Sequence, residues 1–504
     1  MRRPLLVLLL GLFACKGDDG PGTSPTPTPM PSPTGATGGA TGDTGGTPST
    51  EVLQADLAQS EVVPTVFEAR FDSEVGGQGY VEVAGEDGVW WPTERTALGS
   101  TTHTVRVLGL KADHDYQWRA VVDTDDGERL VSAEASLRTE PVPAGFPPLT
   151  LEQADLTRTV DERFYVLFNI VGYDTSYAIV VDHEGDPVWW VPSPTSNFNV
   201  TIVQPSLDGQ SVLHGLLNVD TPTTGVTRTP LGAMTEADRT FTRMPNGHHA
   251  FVEHADGSFV FLAHEYTSIA PWDEHPEALV QTSLLVSLPE GSDGSDAEPL
   301  FRVITDTDLV GNGHTCSHNE AQQFQGQLQV EYGHANSLVY LPSRDSYAIN
   351  FRNLDRVVEV SRSTGELTWQ LGGTESDFSI DALPNRFEHG HFTHMWADGL
   401  AMFSNDLHSG GSRLLVYDVD VVGRSLTTSW AYEQPQGETV AVLGDIDLIA
   451  PRSAMVSWAT LSTVQQLSAP DEVTWSLRVD DATVGRLSYL TDLYTLASPA
   501  APGG

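Results

Sequence analysis

Histidine, arginine and asparagine side chains recur at the ends of short alternating segments between residues 332 and 406. In chain order these segments read His334-Ala335-Asn336-Ser337, Asn350-Phe351-Arg352-Asn353, Glu388-His389-Gly390-His391 and Phe403-Ser404-Asn405-Asp406. An imidazole can act as a nucleophile or as a general acid or base near neutral pH. A guanidinium can bind an anionic group through two parallel hydrogen bonds. This part of the chain is therefore a candidate active site.

Predicted hairpins bring these side chains to a common face. Opposed residues of a hairpin share one face of a sheet. The predicted opposed pairs are His249 with His264, His334 with Arg352, and His391 with Asn405. If the strands line a central axis, the candidate site consists of His249, His334, Arg352 and His391.

A register shift of one residue would move other polar side chains to that face. The neighbouring histidines that could then replace the predicted ones are His248, His389 and His394. The asparagines that could fix imidazole tautomers are Asn336, Asn353 and Asn405. A lone histidine in a strand is more often structural, and Arg352 could simply form an ion pair, so the hypothesis depends on the whole set.

The elements that must position these residues are predicted to be strands. From residue 146 to residue 497, short apolar segments recur between turn signals, without a convincing amphipathic helix. Repeated strand units without helices favour a β-propeller in an all-β protein, with six blades preferred over seven. A pair of packed seven-stranded sandwiches is the alternative.

Residues 51–145 show the alternating pattern of a small β-sandwich. Within them, Leu110-Lys111-Ala112-Asp113-His114-Asp115-Tyr116 resembles the tyrosine corner of fibronectin type III domains. We expect a fibronectin type III-like β-sandwich that acts as a spacer.

The N-terminus has the features of an exported lipoprotein. Residues 1–15 combine a basic start, a short apolar run and the lipobox-like Leu12-Phe13-Ala14-Cys15, so we expect a signal peptide and acylation of Cys15, for example with palmitate. Residues 16–50 are mainly Gly, Pro, Ser and Thr and predict a disordered tether. Lys16 after the cysteine favours the outer membrane over the inner one.

The composition excludes one class of partner. The formal net charge is −42, and Lys16 and Lys111 are the only lysines, so the chain repels nucleic acid. The lipid is then the expected contact with the membrane. Cys15 and Cys316 are the only cysteines, which predicts a folded body without an internal disulfide.

Residues 150–497 resemble the bacterial arylsulfotransferase (aryl-sulfate sulfotransferase) family. The resemblance is carried by an ordered set of motifs: His334-x-Asn336-Ser337, Asn350-x-Arg352-Asn353, Thr364-Gly365-Glu366-x-x-Trp369-x-Leu371-Gly372-Gly373, Asp377-Phe378, His391 and Phe403-x-Asn405. It implies an exported six-bladed propeller that follows an N-terminal β-domain.

The resemblance also implies the chemistry. A sulfuryl group would pass from an aryl sulfate to a phenol through a sulfated histidine, without a nucleotide donor, a cofactor or a required metal. His391 matches the nucleophile, Arg352 the sulfate-binding arginine and His334 a sulfate-binding or acid/base histidine. His249, in His249-Ala250-Phe251, matches the histidine of a further family motif.

The sequence departs from the family pattern at two positions, where Gly390 replaces a glutamine and Ser404 replaces an aspartate. Two other functions therefore stay open. One is a metal-dependent hydrolase that uses the same histidines. The other is a catalytically silent, surface-tethered binding propeller.

Overall fold

The computed structural model describes most of the chain beyond the N-terminal region. The described residues are 52–498 apart from 173–174, 193–200, 218–223, 268–278, 304–321, 325–326, 381–385, 408–409, 435–436 and 469–470. The predicted signal peptide with Cys15, the tether and Cys316 lie outside the described residues. No helix within the described residues has the length and apolar character needed to cross a membrane.

The strands of the N-terminal module form one hydrogen-bonded, mixed set of eight strands. Its strands are β1 (Val52–Leu53), β2 (Ala55–Gln59), β3 (Phe67–Ala84), β4 (Trp90–Pro92), β5 (Ser100–Val107), β6 (Asp115–Thr124), β7 (Arg129–Ser132) and β8 (Ala135–Arg138). Phe67, Trp118 and Leu137 belong to its separate apolar core. The Tyr116 hydroxyl lies 2.9 Å from the Lys111 backbone N–H, which donates to it, as a tyrosine corner requires.

The strands that follow build the propeller. They are β9 (Leu149–Ala154), β10 (Tyr165–Val171), β11 (Tyr177–Asp182), β12 (Pro187–Pro192), β13 (Thr201–Pro205), β14 (Ser211–Leu216), β15 (Gly225–Pro230), β16 (Thr240–Arg243), β17 (Gly247–Glu253), β18 (Phe259–Thr267), β19 (Leu279–Leu288), β20 (Glu298–Arg302), β21 (Gln322–Phe324) and β22 (Gln327–Glu331).

The remaining strands complete it. They are β23 (Ala335–Leu341), β24 (Ser346–Phe351), β25 (Arg356–Ser361), β26 (Leu367–Gly372), β27 (Ser379–Ile380), β28 (Gly390–Trp396), β29 (Gly399–Ser404), β30 (Arg413–Asp420), β31 (Ser425–Glu433), β32 (Asp445–Ala450), β33 (Ser453–Trp458), β34 (Thr463–Ser468), β35 (Glu472–Val479) and β36 (Thr483–Leu490). The described 3-10 segments are Glu236–Asp238, Arg352–Leu354 and Ala459–Leu461.

Six sheets form six blades, which confirms the predicted all-β, six-bladed propeller. Blade 1 contains β36, β10, β11 and β12; blade 2 contains β13–β16; blade 3 contains β17–β22; blade 4 contains β23–β26; blade 5 contains β27–β31; and blade 6 contains β32–β35 with β9. Successive contacts run from β17 to β23, β28, β32, β36 and β13, so these strands lie innermost. The inner strands therefore surround a common axis.

The two ends of the propeller sequence close the ring by pairing with distant strands. β36, near the C-terminus, is the inner strand of blade 1, and β9 is an outer strand of blade 6. Each closure joins residues more than three hundred positions apart, as in the pair Trp475 and Ala154. The ring cannot open without breaking strand hydrogen bonds.

Apolar side chains fill the spaces between neighbouring blades. Trp475 and Phe168 share a cluster between blades 6 and 1, while Tyr347 and Leu262 share one between blades 3 and 4. Similar clusters join the other blade pairs. Each blade thus buries its faces against its neighbours, which is why several repeats are needed for a stable fold.

The N-terminal module contacts blades 1 and 2. The Ser60 hydroxyl donates to the Ala233 carbonyl at 2.6 Å, and the Ala112 N–H donates to the Pro187 carbonyl at 3.1 Å. The Lys111 ammonium lies among three blade 1 carboxylates, those of Asp182, Glu184 and Asp186. These interactions hold the module against the propeller.

Candidate active site

The predicted histidines lie at the starts of inner strands in three successive blades. His249 is the third residue of β17, His334 immediately precedes β23, and His391 is the second residue of β28. All three are at least nine-tenths buried. His249 and His391 are 142 positions apart in the sequence. The repeating blades nevertheless place both side chains at the same end of the inner strands.

The histidine rings are in close proximity. The centroid of His249 lies 4.8 Å from that of His334 and 6.1 Å from that of His391. Behind His249, the His248 Nδ1 atom is 3.0 Å from the His249 Nδ1 atom, and the His248 ring stacks on His264 at 4.0 Å. The result is a continuous cluster of imidazoles across blades 3, 4 and 5.

The backbone at this cluster adopts conformations that L residues rarely occupy. His249 and His334 have φ values of 54° and 51°, and Phe392, next to His391, has a φ of 41°. Each such residue costs about 1–3 kcal/mol and persists only where the surrounding structure holds it in place. Strain of this kind is concentrated at functional sites, which supports a chemical function for these strand starts.

Arg352 joins the cluster from the 3-10 segment that directly follows β24 in blade 4. Its backbone N–H donates to the His334 carbonyl at 3.1 Å, and its side chain is 3% exposed. The Arg352 Nη1 group also donates to the Asn353 Oδ1 atom at 2.8 Å. The structure thus brings together His249, His334, Arg352 and His391, which are the four predicted site residues.

Burial and neighbouring charges lower the basicity of the histidines. Burial lowers the pKa of His391 well below its usual range, and the positive charges of His334 and Arg352 lower it further. A hydrogen bond to the Gly444 carbonyl has the opposite but smaller effect on this pKa. Burial likewise lowers the pKa of His249, and the charge of His334 is the second-largest cause of this decrease. His391 is therefore neutral at pH 7 and keeps a lone pair for nucleophilic attack.

A carboxylate that sequence reasoning missed faces the same cluster. The Glu331 Oε1 atom lies 2.8 Å from the His334 Nδ1 atom. Burial opposes ionisation of Glu331, but the charges of His334, His264 and Arg352 hold the pKa of this carboxyl below its usual range. The sequence signal that could have identified Glu331 is its place three positions before His334, with the turn-forming Gly333 between them.

Asparagines of blade 4 support the start of β28. The Asn336 and Asn350 Nδ2 groups donate to the Gly390 carbonyl at 2.9 and 2.7 Å, and Asn350 Nδ2 also contacts Asn336 Oδ1 at 2.7 Å. These bonds fix the backbone directly before His391. The prediction that the asparagines fix imidazole tautomers was wrong, since Asn336 donates to a main-chain carbonyl, Asn353 accepts from Arg352 and Asn405 donates to main-chain carbonyls.

The two departures from the family pattern have clear local surroundings. A Cβ atom on Gly390 would lie 2.3 Å from the Met402 Sδ atom, so this position has no room for a side chain while Met402 keeps its place. The Ser404 hydroxyl accepts from the Glu388 N–H at 2.8 Å and donates to the Glu388 carbonyl at 3.0 Å. Ser404 therefore ties the segment before His391 to β29.

Two predicted hairpin registers were wrong, and one was right. Arg352 lies opposite His334 as expected. A β-bulge between Gly247 and Phe251 places His248, and not His249, on His264. In blade 5, His391 pairs with Phe403 and not Asn405, because the turn is centred between Ala397 and Asp398 and a bulge follows His391.

The other candidate histidines of blade 5 have separate partners. His389 is fully buried, with its Nδ1 atom 3.3 Å from the Glu388 carboxylate. The His394 Nε2 atom is 3.1 Å from the Asp445 carboxylate of blade 6. Burial lowers the pKa of His394, but Asp445 outweighs this effect and raises it overall. The contact between His394 and Asp445 therefore fits a structural ion pair.

Within the described residues, the group of side chains that could bind a metal ion lies outside the histidine cluster. The side chains there whose donor atoms are close enough to share one ion are Asp182, Glu184 and Asp186. The Lys111 ammonium already occupies this group, with its Nζ atom 2.7 Å from Asp186.

Solved structures that align with the chain are distant from it. Apo AztD from Citrobacter koseri is 12% identical over 82% of this chain and 98% of its own, with a TM-score of 0.24. A putative 6-phosphogluconolactonase from Bacteroides fragilis is 10% identical over 83% and 99%, with a TM-score of 0.29. A luciferin-regenerating enzyme is 9% identical over 67% and 98%, with a TM-score of 0.32. Scores this low do not bear on function.

No curated protein matches the sequence. The model of one family, described as Arylsulfotransferase (ASST), matches residues 151–472. The match spans well over half of the 504 residues and contains all four site residues. The chain belongs to the arylsulfotransferase family.

Proposed function

We propose that the protein moves a sulfuryl group from an aryl sulfate to a phenolic acceptor through a sulfohistidine at His391. The observation that carries this proposal is the convergence of His391, His334 and His249 at the starts of inner strands, with Arg352 bonded to His334 directly after β24. Family membership supports aryl sulfotransfer in general. The covalent route follows from the chemistry of these side chains.

In the first half-reaction, a neutral nitrogen of His391 attacks the sulfur of the donor. The N–S bond forms as the bond from sulfur to the aryl oxygen breaks, and the phenolate leaves. Burial keeps His391 unprotonated, so the lone pair is available at neutral pH. The Gly444 carbonyl accepts from one ring nitrogen, which leaves the other nitrogen for attack.

Arg352 would stabilise the charge on the transferred group. The equatorial oxygens of a sulfuryl group carry negative charge, and a buried guanidinium can bind two of them at once. The bond from Arg352 to Asn353 and its backbone bond to His334 hold it in place. In a chain of net charge −42, this local positive charge matters for binding an anionic donor.

His334 would move the proton. In the first half-reaction it donates a proton to the departing phenolate, and in the second it accepts the proton of the acceptor phenol. The acceptor oxygen then attacks sulfur, the N–S bond breaks and His391 is restored. His249, 4.8 Å away between ring centroids, is the second imidazole available for this step.

The test is incubation with 4-nitrophenyl sulfate, with and without phenol. A covalent route predicts that phenol accelerates 4-nitrophenol release, with parallel lines in double-reciprocal plots and no effect of a chelator. Intersecting lines without a trapped adduct would count against the covalent route. Release that is independent of phenol and stopped by a chelator would indicate the metal-dependent hydrolase, and no release would indicate the silent binding propeller.

We further propose that the protein is exported and held at the cell envelope by lipid on Cys15, with the outer membrane as its location. The lipobox-like sequence and the low-complexity segment after it support this assignment. The measurement is lipid labelling of wild type against Cys15→Ser, followed by protease treatment of intact cells. Equal labelling of the two proteins would contradict it.

A further inference from the structure

Glu331 and His334 form a carboxylate–imidazole pair at the edge of the cluster. The Glu331 Oε1 atom lies 2.8 Å from the His334 Nδ1 atom. The His334 side chain is 8% exposed and the Glu331 side chain 28% exposed. A hydrogen bond to a buried ring nitrogen at this distance fixes both the orientation of the ring and the nitrogen that carries the proton.

The position of Glu331 depends on an addition to the blade. Blades 2 and 4 have four strands, whereas blade 3 also contains β21 and β22. β22 runs parallel to β19 and places Glu331 beside Gln281, and the Tyr332 N–H donates to the Gln281 carbonyl at 2.8 Å. Gly333, with a φ of 84°, then turns the chain into His334. An extra strand thus supplies a carboxylate to the site.

We infer that Glu331 is a positioning residue for His334: it accepts the Nδ1 proton, directs the Nε2 atom towards the reacting oxygen and stabilises the imidazolium. This inference rests on the proposed function, because it assigns the residue through which His334 acts. The negative charge of Glu331 adds to the effect, because burial raises the pKa of this carboxyl but its contact with His334, and then the charge of Arg352, lower the pKa overall.

The proton transfers balance with Glu331 unchanged. In donor cleavage, His334 starts as the imidazolium, and its Nε2 proton goes to the aryl oxygen as the S–O bond breaks. In acceptor sulfation, the phenol O–H proton goes to Nε2 as the new S–O bond forms and the N–S bond breaks. Glu331 accepts the Nδ1–H throughout and takes no proton itself.

This assignment predicts a dependence on the leaving group. Phenolates of high basicity need a proton to leave, whereas 4-nitrophenolate needs it less. We expect Glu331→Gln to lower kcat for phenyl sulfate about 100-fold and for 4-nitrophenyl sulfate about 10-fold or less, with KM little changed. The matched control is Glu265→Gln, which removes a carboxylate paired with Arg302 in the same blade. It should leave both rates unchanged.

A second measurement does not depend on turnover or on the folding of Glu331→Gln. In wild-type protein with ¹⁵N-labelled histidine, NMR should show the His334 proton on Nδ1 in the neutral ring, with His334→Gln identifying the signal. A neutral ring protonated on Nε2 would overturn the inference. Equal losses for both donors in folded Glu331→Gln, or no loss, would also overturn it. Wild type without phenol-dependent turnover would instead contradict the proposed function.

Discussion

The backbone N–H of Arg352 donates to the carbonyl of His334 at 3.1 Å, across the open end of the first hairpin of blade 4. This bond sets a cationic side chain and an imidazole side by side at the edge of the inner strand. The following residue, Asn353, bonds to the Gly333 carbonyl at 3.0 Å and accepts from the Arg352 guanidinium. The hairpin thus holds the two residues to which we assign anion binding and proton transfer as one unit.

Replacement of Arg352 by lysine should severely impair the enzyme, although the charge is kept. An ammonium cannot reproduce the planar fork that meets two sulfuryl oxygens. We expect kcat/KM for 4-nitrophenyl sulfate to fall about 100- to 1000-fold. The control is Arg344→Lys on the same blade, where the Nε atom of Arg344 lies 2.8 Å from Glu359. Near-normal turnover by Arg352→Lys would indicate a structural arginine.

Gly390 should be needed because of Met402. The Cβ atom of Gly390→Ala would lie 2.3 Å from the buried Met402 Sδ atom, so we expect a loss of about 1–3 kcal/mol in the free energy of unfolding. Combined with Met402→Ala, it should cost less than the sum of the two single changes. Urea unfolding of the four proteins in this cycle measures the coupling.

The matched glycine for this cycle is Gly85 in the N-terminal module, where a Cβ atom would make only ordinary contacts, at 3.7 Å or more. Gly85→Ala should have little effect on unfolding. Additive effects of Gly390→Ala and Met402→Ala would show that the two residues do not compete for space. The glutamine of the family pattern would then be accessible at this position.

Much of the architecture could be predicted from the sequence, because propeller blades are local. The turn at residues 342–345 sets the pairing of Leu341 with Ser346, and counting back from it brings His334 to within one residue of Arg352. A bulge between Ala335 and Ser337 then places the two residues opposite each other. The bulges could not be predicted in this way. Two extra residues near His249, and one after His391, change the register without a signal in the alternation of apolar residues.

Glu331 was missed for a different reason. Its position depends on parallel pairing of β22 with β19, in which Glu331 lies beside Gln281, fifty residues earlier. Hydrophobic periodicity predicts that a strand exists but not which distant strand it joins. The convergence of the four predicted residues could be predicted from the sequence, because each residue belongs to a hairpin of the repeating unit.

Acid should destabilise the protein through its buried histidines. Burial lowers the pKa of His391 and His249 in the native state, whereas an unfolded histidine titrates near 6.5. Below pH 6.5 the unfolded state therefore binds more protons, and each histidine lowers the free energy of unfolding by about 1.4 kcal/mol per pH unit. Urea unfolding at pH 7.5 and 5.5 measures this loss.

The variant that isolates this effect is His391→Asn, which removes one titrating group. Its loss of stability between the two pH values should be smaller than that of wild type by about 1.4 kcal/mol. An identical loss in the two proteins would show that His391 is protonated as readily in the folded state as in the unfolded one.

Lys111 should stabilise the contact between the N-terminal module and blade 1. Lys111→Met leaves the carboxylates of Asp182, Glu184 and Asp186 without their shared cation. Because the lysine is partly exposed, we expect a loss of about 1–3 kcal/mol in the free energy of unfolding. Turnover by the folded protein should be unchanged, since the site lies in blades 3 to 5.

The control for Lys111→Met is Arg138→Met, which removes an exposed cation that pairs with Asp113 and Asp115 within the module. It should leave thermal unfolding almost unchanged, because exposed ion pairs contribute little. If the two variants lose equal stability, the three carboxylates do not depend on Lys111 in particular.

A covalent intermediate at His391 is the step on which the proposed function depends. Wild-type protein is incubated with 4-nitrophenyl sulfate alone, kept at alkaline pH and digested with trypsin, which cleaves after Arg386 and Arg413. Mass spectrometry should find peptide 387–413 heavier by one sulfuryl group, with fragments that place it on His391, and brief exposure to phenol should remove it. The His391→Asn protein should show no modification. If wild-type protein transfers sulfate to phenol but its peptide 387–413 is unmodified, the covalent intermediate at His391 is contradicted. A sulfuryl group located on another histidine would contradict it as well.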